Sequence, residues 1–382
     1  MSEGIDESVV DDAAALAERD PAGMLRALAS AGAQVRQALR ETDEALLDIA
    51  AEDGRPRAVL IAGMGGSGIT ADVVAAVTGT ACPVPVVAHR GFRLPGWVGA
   101  ADLVVGVSSS GQTEETLATV DEALRRGARV VTVGAAGSPL AQRAEGGRSV
   151  HLGAAVADRK PRANLWAMSV PVLLLVDRLG LTSVPRATLA EVADQLDRTS
   201  EVCGPVSDTF DNPAKRLALA LAGSLPYVWG GSEIAATAAH RFTCQLAENA
   251  KIPAVDGALP EVAHNQVMAL EGAFGAGASA GVEDIFRDPD LNAPSRTRIQ
   301  LVLLADPQEL PEITRGRHAV ARLAESYDVP VQEVGAVDGH AVARLASLVA
   351  PCDFASVYYA LLHGIDPTPI AAIDRLKRDD RP

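Results

Sequence analysis

Residues 59–70 read Val-Leu-Ile-Ala-Gly-Met-Gly-Gly-Ser-Gly-Ile-Thr, and this stretch decides the fold. The apolar run Val59–Ile61 predicts a short buried strand. Glycines fill the turn after it, and Ser67 is a good N-cap for a helix predicted from Ile69 to Val77. Such a turn points backbone N–H groups outward at the positive end of a helix dipole, so it can bind phosphate without a basic side chain. The candidate phosphate-binding residues here are Gly65, Gly66 and Ser67.

A second turn of this kind follows the next apolar run, the predicted strand Leu103–Val107. Its sequence, Ser108-Ser109-Ser110-Gly111-Gln112-Thr113, precedes a helix predicted to run to Arg126. Hydroxyls together with free N–H groups suit a phosphate monoester, although Thr113 is equally suited to be an ordinary N-cap. The candidates in this turn are Ser108, Ser110 and Thr113. The two turns together resemble the sugar isomerase (SIS) domain, whose members bind phosphosugars through a Ser/Thr-rich turn.

Length and composition favour a two-domain α/β protein. The chain has 382 residues, 48% of them apolar and only 3% aromatic, which is typical of a helix-rich α/β enzyme. The longest apolar run, 170–176, contains Pro171 and is too short to cross a bilayer. The N-terminal residues are acidic and show no signal-peptide pattern. We therefore expect a cytoplasmic protein without a membrane partner.

The net charge and the cysteine spacing limit the kinds of ligand and partner that we expect. A net charge of −15 argues against a nucleic-acid partner, and it requires that any anionic substrate be held by local dipoles and a few cations. The four cysteines are scattered without CxxC spacing, which indicates buried thiols rather than metal ligands or a disulfide framework. We expect neither a metal site nor a cofactor.

Strands and helices alternate from residue 58 onward, which predicts a doubly wound parallel sheet. We expect an N-terminal helical segment (1–57), a first domain with crossover helices (58–200) and a second domain with C-terminal helices (201–382). The candidate linker is Glu201–Pro213. The predicted strands of the first sheet are Val59–Ile61, Pro85–Ala88, Leu103–Val107, Arg129–Val133 and Val150–Leu152.

The second half repeats the opening pattern. Leu225–Ile234 again reads as strand, glycines, serine and helix, and the run 299–304 corresponds to the Leu103 strand. Ala305-Asp306-Pro307 stands where the first copy has its hydroxyls. We interpret this as two copies of one α/β unit, the second of which has lost the phosphate chemistry.

Two further segments carry groups suited to proton transfer. Glu248-Asn249-Ala250-Lys251 ends the helix that begins near Ser232, and Pro260-Glu261 fits a helix start that would place Glu261, His264 and Asn265 on one face. A carboxylate can move a proton between sugar carbons, and a histidine titrates in the range needed to open a cyclic hemiacetal. Spacing alone equally allows a surface Glu248–Lys251 pair, a helix-start charge at Glu261 and a structural histidine at His264.

Taken in order, these motifs resemble the bifunctional phosphoglucose/phosphomannose isomerases over residues 58–378. The motifs that carry the resemblance are Gly63–Gly68, Ser108–Thr113, Pro161-Arg162, Glu248–Lys251, Leu259–Asn265, Asp366–Pro369 and Leu376-Lys377. The resemblance implies two SIS domains, a homodimer, a hexose 6-phosphate substrate and no metal. By motif, Glu248 matches the base, His264 the ring-opening residue with Lys377 near it, and Arg162 the cation that stabilises the enediolate. Ser67, Ser108, Ser110 and Thr113 match the phosphate holders.

Two positions depart from the family pattern, since Gln112 and Ala247 stand where the family usually has Asn. They leave open a second hypothesis, a regulatory phosphosugar-binding protein with little or no catalysis. A third, weaker hypothesis is a different SIS enzyme acting on an amino-sugar or heptose phosphate.

Overall fold

The structure is a computed structural model that describes residues 5–145, 149–156, 159–276 and 297–379. Its helices through residue 202 are α1 (Ala13–Arg19), α2 (Met24–Ala29), α3 (Ala31–Glu41), α4 (Glu44–Ala51), α5 (Ile69–Thr78), α6 (Glu114–Arg125), α7 (Pro139–Arg143), α8 (Leu165–Arg178) and α9 (Arg186–Val202). The strands are β1 (Val59–Ala62), β2 (Val86–His89), β3 (Leu103–Ser108), β4 (Arg129–Gly134) and β5 (Val150–Gly153). They form one parallel sheet in the order β2-β1-β3-β4-β5.

The remaining chain builds a second parallel sheet. Its strands are β6 (Ser224–Gly230), β7 (Val255–Ala258), β8 (Arg298–Ala305) and β9 (Val331–Gly335), in the order β7-β6-β8-β9. Its helices are α10 (Pro213–Ala220), α11 (Glu233–Gln245), α12 (Pro311–Ser326), α13 (Ala341–Leu362) and α14 (Ala371–Asp379). The predicted α/β class with two parallel sheets flanked by helices is confirmed. The second sheet repeats the order of β2-β1-β3-β4, as the repeated sequence pattern predicts.

Residue contacts divide the chain into two units. The first-sheet unit is Ala29–Arg198 with Gly339–Ala346, and the second-sheet unit is Met1–Leu28, Thr199–Asp338 and Ser347–Pro382. The N-terminal segment predicted for residues 1–57 is thus divided between the units at residue 28. The domain boundaries predicted at 57/58 and 200/201 stay predictions.

Apolar burial explains the regular elements. All four residues of β1 and all six of β3 are buried, as expected for central strands of a parallel sheet. Helix α8 buries twelve of its fourteen residues and accommodates Pro171. Helix α13 is long and apolar enough to span a membrane by length and composition, but 94% of its most apolar window is buried within the structure. A core helix of a folded domain meets the same criteria.

A fully buried lysine fastens the segment that follows α9. Lys215 on α10 has no exposed side-chain surface, and its Nζ donates to Asp11 Oδ1 at 3.0 Å and to the carbonyls of Pro205 at 3.0 Å and Ser207 at 2.7 Å. A buried ammonium is tolerated only when its donors are satisfied. This network ties the predicted linker Glu201–Pro213 to the N-terminal residues of the second-sheet unit.

We predict that Lys215→Met lowers the unfolding free energy by about 3 kcal/mol, because it leaves a carboxylate and two carbonyls without their donor. Chemical denaturation monitored by fluorescence measures the change. Arg322→Met, which removes an exposed cation from α12, is the matched control and should change stability by less than about 0.5 kcal/mol. Equal stability of the two variants would contradict the role given to Lys215.

Candidate active site

The glycine turn after β1 is joined to the serine turn after β3 by Ser67. Ser67 is buried, and its Oγ accepts a hydrogen bond from the backbone N–H of Ser109 at 3.2 Å. The prediction that Ser67 caps the following helix is wrong: the N-cap of α5 is Gly68, which has no side chain to offer. A 3-10 turn, Gly65–Ser67, separates the strand from α5. The Ser67 hydroxyl therefore bonds the neighbouring serine turn and not the start of α5.

The serine turn itself holds its hydroxyls through local bonds. Ser108 Oγ and Thr113 Oγ1 lie 2.8 Å apart, and Ser110 Oγ accepts from the backbone N–H of Gln112 at 3.2 Å. Thr113 is the N-cap residue of α6, as one reading of the sequence predicts, but its side chain makes no capping bond. Within the described part of the chain, the first N–H groups of α6 thus have no side-chain cap, and they lie next to a cluster of hydroxyls.

Arg162 lies directly behind the glycine turn. It belongs to a 3-10 turn, Pro161–Ala163, and is only 2% exposed. A Cβ on Gly66 would come within 3.0 Å of the backbone carbonyl carbon of Pro161 and the backbone nitrogen of Arg162. The two turns are therefore in direct backbone contact, which only glycine permits at this position.

Asn164 is a functional candidate that the sequence reasoning missed. It is fully buried, its Nδ2 donates to Ser109 Oγ at 3.3 Å, and its Oδ1 accepts from Arg159 Nε at 2.8 Å. Asn164 thus connects the serine turn to the basic loop around Arg162. Its place at the end of a loop rich in Arg and Lys was the available signal; Asp158 of that loop lies outside the described residues.

We predict that Gly66→Ala destabilises the first-sheet unit by about 1–3 kcal/mol, because a methyl group at 3.0 Å from backbone atoms forces the two turns apart. Gly99→Ala is the matched control, since a Cβ there meets nothing within 4 Å. Thermal unfolding of both variants measures the difference. A Gly66→Ala protein as stable as the control would refute the close packing.

The Glu248 segment adopts a π-helical turn rather than the end of a regular helix. The turn spans Leu246–Ala250 and follows α11 directly. Asn249 is fully buried and donates from Nδ2 to Ser356 Oγ on α13 at 2.9 Å. Lys251 has a left-handed backbone (φ 61°), and its Nζ donates to the carbonyls of Glu248 at 2.5 Å and Pro367 at 3.2 Å. These anchors on both sides fix the backbone that carries the half-buried Glu248.

Lys251 also connects two of the quoted motifs, because Pro367 lies in the Asp366–Pro369 motif near the C-terminal end. Spacing allowed a surface pair between Glu248 and Lys251, and the structure shows a hydrogen bond from the Lys251 ammonium to the Glu248 main-chain carbonyl. Single-turn π insertions in helices occur often at functional sites.

The other two candidates of this unit lie on exposed segments. His264 is exposed at the end of a 3-10 turn, Glu261–His264, rather than in a longer helix. Asn265 Nδ2 donates to Glu261 Oε1 at 2.7 Å, so these two residues do share a face as their spacing predicts. Lys377 lies on α14, where every residue is exposed.

In the second copy of the glycine turn, side chains already cap the start of the following helix. Ser232 Oγ accepts from the Ala235 N–H at 3.1 Å and so caps α11, and it donates to Asp306 Oδ2 at 2.6 Å. An anion at this turn would meet a carboxylate and a helix start that is already capped. The equivalent start in the first copy, at α5, follows Gly68 and has no side-chain cap.

The predicted residues thus fall into two groups. The phosphate candidates and Arg162 are brought together in the first-sheet unit, with Asn164 added to them. Glu248, His264 and Lys377 lie in the second-sheet unit on three separate segments.

Comparison with known proteins finds relatives that match most of the chain. Residues 210–379 match the model of the bacterial phospho-glucose isomerase C-terminal SIS domain. A bifunctional phosphoglucose/phosphomannose isomerase of Caldicellulosiruptor bescii is 29% identical over 84% of this chain and 88% of its own length. A protein of the same name from Aquifex aeolicus is 27% identical over 87% of this chain and 93% of its own.

Solved structures show the same fold at low identity. The C-terminal domain of glucosamine-fructose-6-phosphate aminotransferase from Francisella tularensis aligns with a TM-score of 0.63 and 13% identity, over 90% of this chain and 97% of that one. The matching family model and the curated relatives confirm the family resemblance stated from the motifs. Residues 210–379 match the bacterial phosphoglucose isomerase C-terminal SIS domain, and the chain is similar over most of its length to proteins named bifunctional phosphoglucose/phosphomannose isomerase.

Proposed function

We propose that the chain is a phosphosugar isomerase that interconverts glucose 6-phosphate and mannose 6-phosphate with fructose 6-phosphate. The observation that carries the proposal is the start of α6, whose N–H groups have no side-chain cap and stand beside the hydroxyls of Ser108 and Thr113. Helix-start N–H groups and hydroxyls are suited to a phosphate dianion. The names of the related proteins support a hexose phosphate as the molecule that carries it.

The phosphate would be held by the two turns of the first-sheet unit. Gly65, Gly66 and Ser67 supply the glycine turn, and Ser108, Ser110 and Thr113 supply the hydroxyls. Asn164 keeps Ser109 in place and acts as a positioning residue. Binding by backbone dipoles and hydroxyls reconciles an anionic substrate with a net charge of −15, because these groups act only at short range.

The isomerisation would proceed through a cis-enediol or enediolate, with roles assigned by motif. The His264 imidazole assists opening of the sugar ring, with Lys377 near it, and the Glu248 carboxylate moves a proton between C1 and C2. The Arg162 guanidinium stabilises the negative charge that develops on the enediolate oxygens. One base can serve both epimers if the pocket tolerates rotation about the C2–C3 bond, because this rotation presents either face of the planar enediol at C2 to the same carboxylate.

The reaction would need no metal, and the working form would be a cytoplasmic homodimer. Purified protein assayed with EDTA should form fructose 6-phosphate from both hexose phosphates. Loss of activity in EDTA that zinc restores would overturn metal independence. Hexose phosphate binding by calorimetry without any turnover would instead favour the regulatory phosphosugar-binding protein.

We predict that Glu248→Gln lowers kcat by about 10²–10⁴-fold, because the amide cannot accept the proton, while fructose 6-phosphate binding measured by calorimetry changes little. Glu233→Gln removes an exposed carboxylate from the same helix and is the control. Full activity of Glu248→Gln would show that another group is the base.

We predict that Thr113→Val raises KM about tenfold with little change in kcat, since it removes a hydrogen bond that substrate and transition state would share. Ser232→Ala removes a hydroxyl from the glycine turn of the second copy and should leave KM unchanged, although it costs stability through the lost helix cap. Steady-state kinetics on both variants measures the contrast. An equal rise in KM for the two would contradict the assignment of phosphate binding to the first copy.

A further inference from the structure

A cysteine, a histidine and an aspartate are linked by hydrogen bonds on α11 and β7. Asp256 Oδ2 lies 3.3 Å from Nδ1 of His240, and Nε2 of the same ring lies 3.9 Å from Sγ of Cys244. His240 and Cys244 are four residues apart on α11 and therefore share one face of the helix. Asp256 comes from β7, the edge strand of the second sheet. None of these residues has a role in the isomerisation proposed above.

The aspartate is held in position and fixes the state of the ring. Thr243 Oγ1 lies 3.0 Å from Asp256 Oδ1, and Gln266 Nε2 donates to the Asp256 carbonyl at 3.2 Å. A carboxylate next to Nδ1 keeps a proton on that nitrogen, so Nε2 is the one that can accept the proton of a thiol. Aspartate, histidine and cysteine thus have the order of contacts that activates a nucleophile.

We propose that Cys244 is a reactive thiol that, through His240 and Asp256, attacks peroxides and other small soft electrophiles. His240 Nε2 takes the Sγ proton, and the thiolate is then paired with the imidazolium. The site is accessible: the side chains of His240 and Asp256 are 41% and 39% exposed, and Cys244 is half-buried. Cys203 and Cys352 are buried instead, and burial raises the pKa of the Cys203 thiol to about 12.

With hydrogen peroxide, Cys244 gains one oxygen atom and water is released. The thiolate attacks one peroxide oxygen, so that an S–O bond forms and the O–O bond breaks. The departing hydroxide takes the proton from the His240 imidazolium and leaves as water. Sulfur is oxidised to a sulfenic acid, the peroxide is reduced, and His240 returns to its neutral form.

The surroundings of His240 favour the imidazolium. The hydrogen bond to Asp256, followed by that to Cys244, raises the pKa of His240 to about 10, and the same contact lowers the pKa of Asp256. Elements packed against α11 carry further titratable or charged groups: Tyr227 on β6, Arg298 on β8 and Glu248 in the π-helical turn. Helix α13 carries Asp353, which pairs with Arg241, as well as Arg344, Cys352, Tyr358 and Tyr359.

The raised pKa of His240 gives the pH window of this ion pair. Its contribution to stability is fully present below the unfolded histidine pKa of 6.5 and is lost as pH rises through about 10. The imidazolium therefore persists at neutral pH, where the thiolate is needed.

The test is the rate at which iodoacetamide modifies each cysteine at pH 6.5, measured by peptide mass spectrometry on the full-length protein. Iodoacetamide reacts with the thiolate and not with the thiol, so a cysteine beside a base that takes its proton is modified faster than a cysteine without one. We expect Cys244 to react about tenfold faster than Cys82, which is also half-buried and is hydrogen-bonded to no histidine among the described residues.

Two variants distinguish activation of the Cys244 thiol by His240 from simple exposure of that thiol. His240→Gln should slow iodoacetamide modification of Cys244 to the rate of Cys82 and make the Cys244 rate rise with pH. Asp256→Asn should give an intermediate rate at Cys244. The rate at Cys82 should be unchanged in both variants. Hydrogen peroxide, followed by dimedone to trap sulfenic acid, should label Cys244 first. Equal rates at Cys244 and Cys82 in the unmodified protein would refute the proposal. So would a Cys244 rate unaffected by His240→Gln in a variant whose circular dichroism shows a native fold.

Discussion

The backbone N–H groups at the start of a helix need acceptors, and this need organises the carboxyl edge of both sheets. In a parallel sheet every strand leads through a turn into a helix start at the same edge, so several such starts gather there. In the second copy side chains supply the acceptors: Ser232 caps α11 and is held by Asp306. In the first copy the serine that stands in the same place, Ser67, accepts from Ser109 instead, and α5 begins after Gly68 without a side-chain cap. The same strand–turn–helix topology thus has a helix start that side chains cap in the second copy and an uncapped helix start in the first.

The uncapped helix start of the first copy is tolerated because backbone contacts and hydrogen bonds fix the loops around it. Gly66 lets the glycine turn touch the Pro161–Ala163 turn through backbone atoms, and Asn164 bonds both Ser109 and Arg159. Donors that are held in place before a ligand arrives need little reorganisation when it binds. The buried position of Arg162 has the same consequence, since a side chain that is 2% exposed has few rotamers to lose.

The sequence allowed the fold class, the repeat and the order of the motifs to be predicted, because apolar β-branched runs and glycine turns are local signals. It gave no signal for β7, since Val-Asp-Gly-Ala is short and half polar and becomes a strand only by pairing with β6. Ser67 was misassigned for a related reason: its partner, the Ser109 N–H, is 42 residues away, and a propensity for capping cannot register such a contact. The bond from Asn164 to Ser109 is equally non-local.

The π-helical turn is the clearest case of a backbone feature that a local sequence pattern does not predict. In a regular helix Glu248 would follow Cys244 by four residues on the face that carries His240, which would bring a second carboxylate next to the imidazole and the thiol. The inserted turn at Leu246–Ala250 changes the direction in which Glu248 points, and Asn249 and Lys251 hold the altered backbone through Ser356 and Pro367. The left-handed conformation of Lys251 costs about 1–2 kcal/mol for a residue other than glycine, which its two hydrogen bonds offset. One continuous helical segment can therefore keep a histidine and a cysteine paired with Asp256 while it presents a separate carboxylate one turn later.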